Sequence, residues 1–481
     1  MGTTLVKNAQ VITAGDRYHA DIFIDRGTIA QIGQGRSPPA ETVIDAAGKL
    51  VMPGGVDVHT HLDMPFGDIS STDDFETGTI AAAFGGTTTV IDFATQTRGG
   101  GLQEALSAWK RRAEGKAVVD FGFHMAISEL GPGVADEMDR MARQEGVTSF
   151  KLFLAYPDRL MVDDATLFRA LLQARESGGL VCLHAENGAV IEELVRAARK
   201  RGETAPRFHA ETRPPGTEKE AVARAVALAE MAKTPVYIVH LSCAAALEEV
   251  RRARRRGLPV LAETCPQYLF LSRKEYERPG FEGARFVMSP PLREPSDQEA
   301  LWRGLAGGDL QVVSTDHCPF GMETPPHKQL GRSDFSKIPG GIPGVETRLT
   351  LLWDGGVRAG RFDAHRFVEL VAAAPARIFG LWPQKGTIAV GSDGDLVVFD
   401  PDREVVLSAE TLHMRVDYSP YEGLRPRGAP VVVLSRGEVV VDQGELKAQP
   451  GRGRFLKRGP SGDMTGFPPQ PWKPGSCPPR Q

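Results

Sequence analysis

His59 and His61 are one residue apart in Val58-His59-Thr60-His61, and in an extended chain side chains two positions apart project to the same side. Two imidazoles so placed suit a divalent metal ion. Further candidates follow along the chain. Lys151 lies in Phe150-Lys151-Leu152-Phe153-Leu154-Ala155-Tyr156, His184 in Cys182-Leu183-His184-Ala185-Glu186-Asn187, His240 in Val239-His240-Leu241-Ser242, and Asp316 in Ser314-Thr315-Asp316-His317-Cys318-Pro319. Taken singly, each has a plain structural reading: paired histidines satisfy hydrogen bonds, lone ones sit in cores, Asp316 caps a helix, and Lys151 snorkels from an edge to water. Taken together, four histidines, an aspartate and a lysine within or at the ends of apolar runs point to one metal-dependent site. An ammonium is a poor companion for cations, whereas a lysine carboxylated by CO2 is an anionic carbamate whose two oxygens can bridge two ions. Two zinc ions bring roughly +4, against about -1 each from carbamate, aspartate and bridging hydroxide, and the remainder of about +1 suits a developing oxyanion.

Such residues need a scaffold that gathers strand ends. Eight apolar runs, at 56–61, 87–94, 120–126, 149–155, 180–186, 235–242, 259–265 and 310–316, alternate with amphipathic stretches, clearest at 102–115, 164–176, 188–200, 217–232 and 244–256. This alternation predicts parallel strands covered by helices. Eight repeats favour an α/β fold of the (β/α)8 TIM-like barrel type over a doubly wound sheet, and in a barrel the C-terminal strand ends meet at one mouth. Residues 1–55 instead suggest short strands, with turns at Asp25-Arg26-Gly27 and Ala47-Gly48, and the texture returns within 386–450. The two ends are expected to form one small β-sandwich around a barrel of residues 56–385. The tail, 451–481, is rich in Pro and Gly without an apolar period, and is expected to be disordered or to drape over a neighbour.

Composition narrows the partners. Of 481 residues, 41% are hydrophobic and 25% charged, as in an ordinary globular protein, and 57 basic against 61 acidic residues leave a net charge of -4. That field gives no pull toward nucleic acid or anionic lipid. The basic cluster Arg251, Arg252, Arg254, Arg255 and Arg256 falls at a helix C-terminus, where cations complement the dipole, and is expected to be a solvated face. Five dispersed cysteines, Cys182, Cys243, Cys265, Cys318 and Cys477, suggest neither a disulfide framework nor a zinc knuckle. With neither a signal-peptide pattern at the N-terminus nor an apolar run of membrane-spanning length, a cytoplasmic protein without membrane partners is expected.

In order on the predicted strands stand Gly54-Gly55-Val56-Asp57-Val58-His59-Thr60-His61, the Lys151 segment, His184-Ala185-Glu186-Asn187, Val239-His240-Leu241-Ser242-Cys243, Met288-Ser289-Pro290-Pro291-Leu292-Arg293 and Thr315-Asp316-His317-Cys318-Pro319-Phe320. This set resembles the cyclic amidohydrolases, most closely the dihydropyrimidinase and D-hydantoinase group, over roughly residues 5–446. The resemblance implies two divalent ions, zinc by default. His59, His61 and Asp316 would hold the more buried ion, His184 and His240 the more exposed one, and carboxylated Lys151 would bridge them with a hydroxide. It further implies that the hydroxide opens the ring of 5,6-dihydropyrimidines and 5-substituted hydantoins to N-carbamoyl amino acids, with Asp316 moving protons and Tyr156 donating to the substrate carbonyl. Main-chain groups at Ser289 and near Gly340 would hold the ring amide, while Met64, Phe66, Phe153 and Leu160 would either face the ring substituent or simply pack loops over the barrel. A homotetramer is also implied. Two departures stand out: Ile338-Pro339-Gly340-Gly341 where the group usually has Asn in place of Gly340, and Glu346-Thr347-Arg348 where Asp is common at the middle position.

Dihydroorotase and allantoinase are the alternative activities. Their first motif usually continues to an arginine or asparagine that grips an acidic group, whereas Leu62-Asp63-Met64 follows here, and an aspartate would repel the dihydroorotate carboxylate. A non-catalytic scaffold like the collapsin response mediator proteins is a third reading. Those proteins lack the metal ligands, and all six positions are filled here.

Overall fold

The computed structural model describes residues 2–35, 37–131 and 133–461. The chain opens with β1 (Thr3–Ile12), β2 (Arg17–Asp25), β3 (Thr28–Gly33), β4 (Thr42–Asp45) and β5 (Leu50–Pro53). The barrel begins at β6 (Gly55–Thr60), is interrupted by a hairpin of β7 (Pro65–Phe66) and β8 (Ile69–Ser70), and resumes with β9 (Thr87–Thr95). Six more strands follow: β10 (Asp120–Ala126), β11 (Ser149–Phe153), β12 (Leu180–His184), β13 (Val236–Ile238), β14 (Val260–Thr264) and β15 (Val312–Val313). All eight expected runs contain a barrel strand, and they pair in parallel in the order β15-β14-β13-β12-β11-β10-β9-β6. Closure comes where the His61 amide donates to the His317 carbonyl at 2.8 Å. Below that point the buried Arg348 guanidinium bonds the carbonyls of Val56 and Val313, at 2.9 and 3.0 Å, tying the first strand to the last.

The covering helices follow the sequence pattern. Leu102–Ala113 buries Leu102, Ala105, Leu106, Trp109 and Ala113, the three-four spacing of one helix face. Asp164–Ser177 starts at Asp163, whose side chain accepts from the Thr166 amide, and stops at Gly178, where φ is 74°. There a left-handed residue ends the helix, which glycine does without a Cβ penalty. The Arg cluster lies at the end of Ala244–Arg255, with Arg252 and Arg255 paired to Glu248, Arg256 to Glu230 and Arg251 to Asp309. Its solvated-face reading holds for these, while Arg254 is buried and donates to the Val260 carbonyl. No helix among the described residues is long and apolar enough to cross a membrane.

The chain then returns to the small domain through β16 (Leu396–Glu404), β17 (Arg427–Ser435), β18 (Glu438–Asp442) and β19 (Glu445–Leu446). Hydrogen bonding is continuous through all nine strands, because β16 pairs with β5. The sheet curls until the Gly394 amide meets the Gly27 carbonyl and the Gly437 amide meets the Gly394 carbonyl. It encloses its own apolar core of Val6, Val11, Ile22, Ile24, Leu396 and Leu434.

The start of the tail departs from expectation. Residues 452–461 pack on their own chain: the Phe121 amide donates to the Arg454 carbonyl at 3.0 Å and the Leu456 amide to the Phe121 carbonyl at 2.7 Å. Buried Arg458 reaches Ser149 Oγ at 2.8 Å, beneath β11. The physical reason is two buried side chains, Leu456 and Arg458, set two residues apart on an extended segment. The rest of the tail, 462–481 with Cys477, lies outside the described residues.

Candidate active site

The mouth of the barrel gathers the predicted ligands. His59 Nε2 and His61 Nε2 lie 3.2 and 3.1 Å from Asp316 Oδ1, and one ligand atom from each residue falls within 4.8 Å of the other two. Glu263 Oε1 sits 2.5 Å from His59 Nδ1. A carboxylate at Nδ1 accepts a hydrogen bond from the Nδ1–H and so leaves the Nε2 lone pair facing Asp316. Two acceptors aimed at each other demand a proton or a cation between them. His59 Nε2, the atom that faces Asp316, is buried without a hydrogen-bond partner, so the donor set fits a metal ion. Asp316 is not a helix cap, because no helix begins there.

His184 and His240 form the second group, with His184 Nδ1 3.0 Å from His240 Nε2. Glu186 Oε2 lies 2.9 Å from His184 Nε2 and so leaves Nδ1 as the free lone pair, repeating the logic at His59. The His59 and His240 rings are 5.2 Å apart, which links the two groups. Lys151 lies with them and does not snorkel: the residue is 1% exposed, and Nζ stands 4.9 and 5.1 Å from the ring centres of Phe93 and Phe153. The snorkelling reading fails because β11 is flanked by β10 and β12, leaving no edge.

Burial dominates the protonation states. It pulls Lys151 down to about 8, despite the opposing charges of Asp316 and Glu263, and His61 down to about 4. It also lowers His240. Burial would raise Asp316, but His59 and His61 outweigh it and hold the carboxyl well below its usual range. Burial, with Glu186 adding, raises the Tyr156 phenol, which therefore keeps its proton at neutral pH. Three of these residues also hold left-handed backbone, with φ of 66° at Tyr156, 38° at His240 and 53° at Asp316. Non-glycine residues occupy that region at a cost, and such strain clusters at functional sites.

The predicted substrate contacts are partly gathered. The Tyr156 ring centre is 5.2 Å from that of His184. Gly340 neighbours Ser289: a Cβ built on Gly340 would meet Met288 Cα at 3.8 Å and Ser289 Oγ at 4.0 Å. Packing therefore does not require glycine there. Phe153 lies at the site, its ring centre 5.6 Å from that of His184. Phe66 stacks edge-on with Phe320 and carries the Arg159 guanidinium 4.8 Å from its ring centre, so its hairpin touches the loop that holds Leu160. Met64 and Leu160 are half-buried on those loops. Asp63 corrects one inference, since its carboxylate pairs with Arg112 at 3.1 Å and is not presented as a bare charge. At the other family departure, Thr347 bonds the Gly344 carbonyl while Glu346 holds His413.

Sequence reasoning did not single out Glu263, which also accepts from the Tyr237 hydroxyl at 2.8 Å and the His240 amide at 3.2 Å. The same is true of Asp92, which accepts from Thr60 Oγ1 at 2.9 Å and the Leu62 amide at 2.7 Å. Both could have been found by the signal that exposed Lys151, a charge inside an apolar run.

Residues 50–440 match the amidohydrolase family. The chain is 51% identical to a D-hydantoinase of Geobacillus stearothermophilus over 462 residues, covering 96% of this chain and 98% of that protein. It is 52% identical to a D-hydantoinase of Streptomyces coelicolor over 460 residues, covering 95% and 98%. The crystal structure of a dihydropyrimidinase from Brevibacillus agri matches with a TM-score of 0.94 at 47% identity, covering 96% of this chain and all 100% of the other. With family, near-full-length relatives and fold in agreement, the chain belongs to the amidohydrolase family, in its D-hydantoinase and dihydropyrimidinase group.

Proposed function

We propose that the protein hydrolyses the ring amide of 5,6-dihydropyrimidines and 5-substituted hydantoins, giving N-carbamoyl amino acids. The observation that carries this reading is the convergence of His59, His61 and Asp316 with His184 and His240 around buried Lys151, in a chain so similar to D-hydantoinases. His59, His61 and Asp316 would hold one divalent ion and His184 and His240 the second, with Lys151, as its carbamate, a ligand available to both. An amine brought down to about 8 by burial is deprotonated often enough near neutral pH to add CO2 and release a proton. When bound, the ions, zinc by default, would polarise the substrate carbonyl and lower the pKa of water.

The chain's own groups do the rest. Asp316 accepts a proton from the attacking water at its carboxylate and passes it to the leaving ring nitrogen. Tyr156 donates its phenolic proton in a hydrogen bond to the carbonyl oxygen as that oxygen gains charge. Main chain at Ser289 and Gly340 holds the ring amide, and Phe93 and Phe153 wall the site against water. Tyr156→Phe should lower kcat by about 100- to 1,000-fold with metal content unchanged, as loss of one oxyanion donor does elsewhere. Steady-state kinetics beside elemental analysis checks this.

Ring preference is assigned to Phe153 with Met64, Phe66 and Leu160. Phe153→Ala should cost an aryl-substituted hydantoin about tenfold in kcat/KM relative to dihydrouracil, through lost aromatic contact. An unchanged ratio would remove Phe153 from the pocket. Parallel assays with dihydrouracil, dihydroorotate and allantoin separate the proposed activity from dihydroorotase and allantoinase. A cytoplasmic homotetramer completes the proposal: the four described cysteines are free and buried, as suits a reducing compartment, and light scattering measures the assembly.

A further inference from the structure

Lys328 is a fully buried lysine, at 0% exposure, that the proposed chemistry does not use. Its ammonium donates to three main-chain carbonyls, Val287 at 2.9 Å, Pro339 at 2.8 Å and Gly341 at 2.8 Å. Among the described residues no carboxylate pairs with it. An ammonium has three donors and no acceptor, so all three are engaged. The acceptors come from two separate segments. Val287 lies two residues before Ser289, and Pro339 and Gly341 bracket Gly340.

The two segments also touch directly, the Gly341 amide donating to the Val287 carbonyl at 3.0 Å. From the other side His209 Nε2 donates to the Met288 carbonyl at 2.7 Å. Burying an ammonium without a counter-ion is costly, and burial pulls this one down to about 7. A methionine would fill similar volume without that cost, but would leave buried carbonyls short of donors. The cost is thus attached to one geometric result, a fixed spacing between the backbone at Ser289 and the backbone at Gly340.

We propose that Lys328 is a positioning residue for substrate, setting the grip on the ring amide by locking those two segments together through three charge-assisted hydrogen bonds. This rests on the cyclic-amide reading above. Lys328 touches neither the ring nor the candidate ligands, so its loss acts on ring binding and leaves the metal site intact.

The test compares wild-type holoenzyme with Lys328→Met on dihydrouracil and a 5-substituted hydantoin. KM should rise about tenfold or more while kcat stays within about threefold, as expected for lost charge-assisted bonds that act on binding. Metal content should be unchanged, and hydrogen exchange at the Gly341 amide should quicken. Lys328→Gln, which keeps an amide donor, should fall between the two, and it carries the comparison alone if Lys328→Met does not fold. A lower Tm with unchanged KM would overturn the proposal and leave Lys328 a brace of the fold only. Wild-type protein that holds two ions yet opens neither ring would instead overturn the cyclic-amide reading, while exchange at Gly341 would still report the lock.

Discussion

Replacing Lys151 with alanine or methionine should abolish ring opening and strip both metal ions from a protein that remains folded. The effect is expected to be the largest of any single change because Lys151 is the one candidate shared by both ions. It lies beneath the rings of Phe93 and Phe153 at 1% exposure, so no water-borne ligand of comparable reach replaces it. Methionine keeps much of the volume, which separates loss of ligand from loss of packing. Elemental analysis of the two variants beside wild type, all made with zinc and bicarbonate, checks this. A Lys151→Met protein with full metal and full turnover would remove lysine from the bridge.

Asp316→Asn should lower kcat by about 10,000-fold, the upper range for a group that transfers protons. The carboxylate is held well below its usual range, with burial overcome by His59 and His61, and is ionised across the neutral range as a proton acceptor must be. Asparagine keeps the shape but cannot take a proton. It also supplies a weaker ligand beside His59 and His61, so occupancy of that ion should fall while the site at His184 and His240 is retained. Single-turnover kinetics on metal-saturated protein separates the two effects. Unchanged chemistry at full occupancy would place proton transfer on another group.

Much of this site was legible because a barrel turns sequence order into spatial convergence. His59, His61, His184 and His240 each fall at or just past the end of a barrel strand, so recognising eight strands was enough to bring them together. Lys151 stood out as a charge in an apolar run. Glu263 and Asp92 carried the same signal and went unremarked, although their carboxylates orient His59 and the loop after it. Other features depend on chain path and could not be seen. Lys328 is recognised by three carbonyls, which have no sequence signature. Arg458 finds Ser149 across 309 residues, so a segment without apolar period becomes part of the barrel floor. Asp63 lost its expected repulsive role to Arg112, a partner 49 residues away on a helix face.

The central claim is a two-ion hydrolase for cyclic amides, and the most direct measurement is metal content per chain together with turnover of dihydrouracil and a 5-substituted hydantoin, on protein purified without chelator. Two equivalents with opening of both rings is the predicted result, and the ratio of rates would place the enzyme between dihydropyrimidinase and hydantoinase. A metal-free, inert protein after preparation with zinc and bicarbonate would contradict it, and would mean that the six converging side chains hold the barrel together without chemistry.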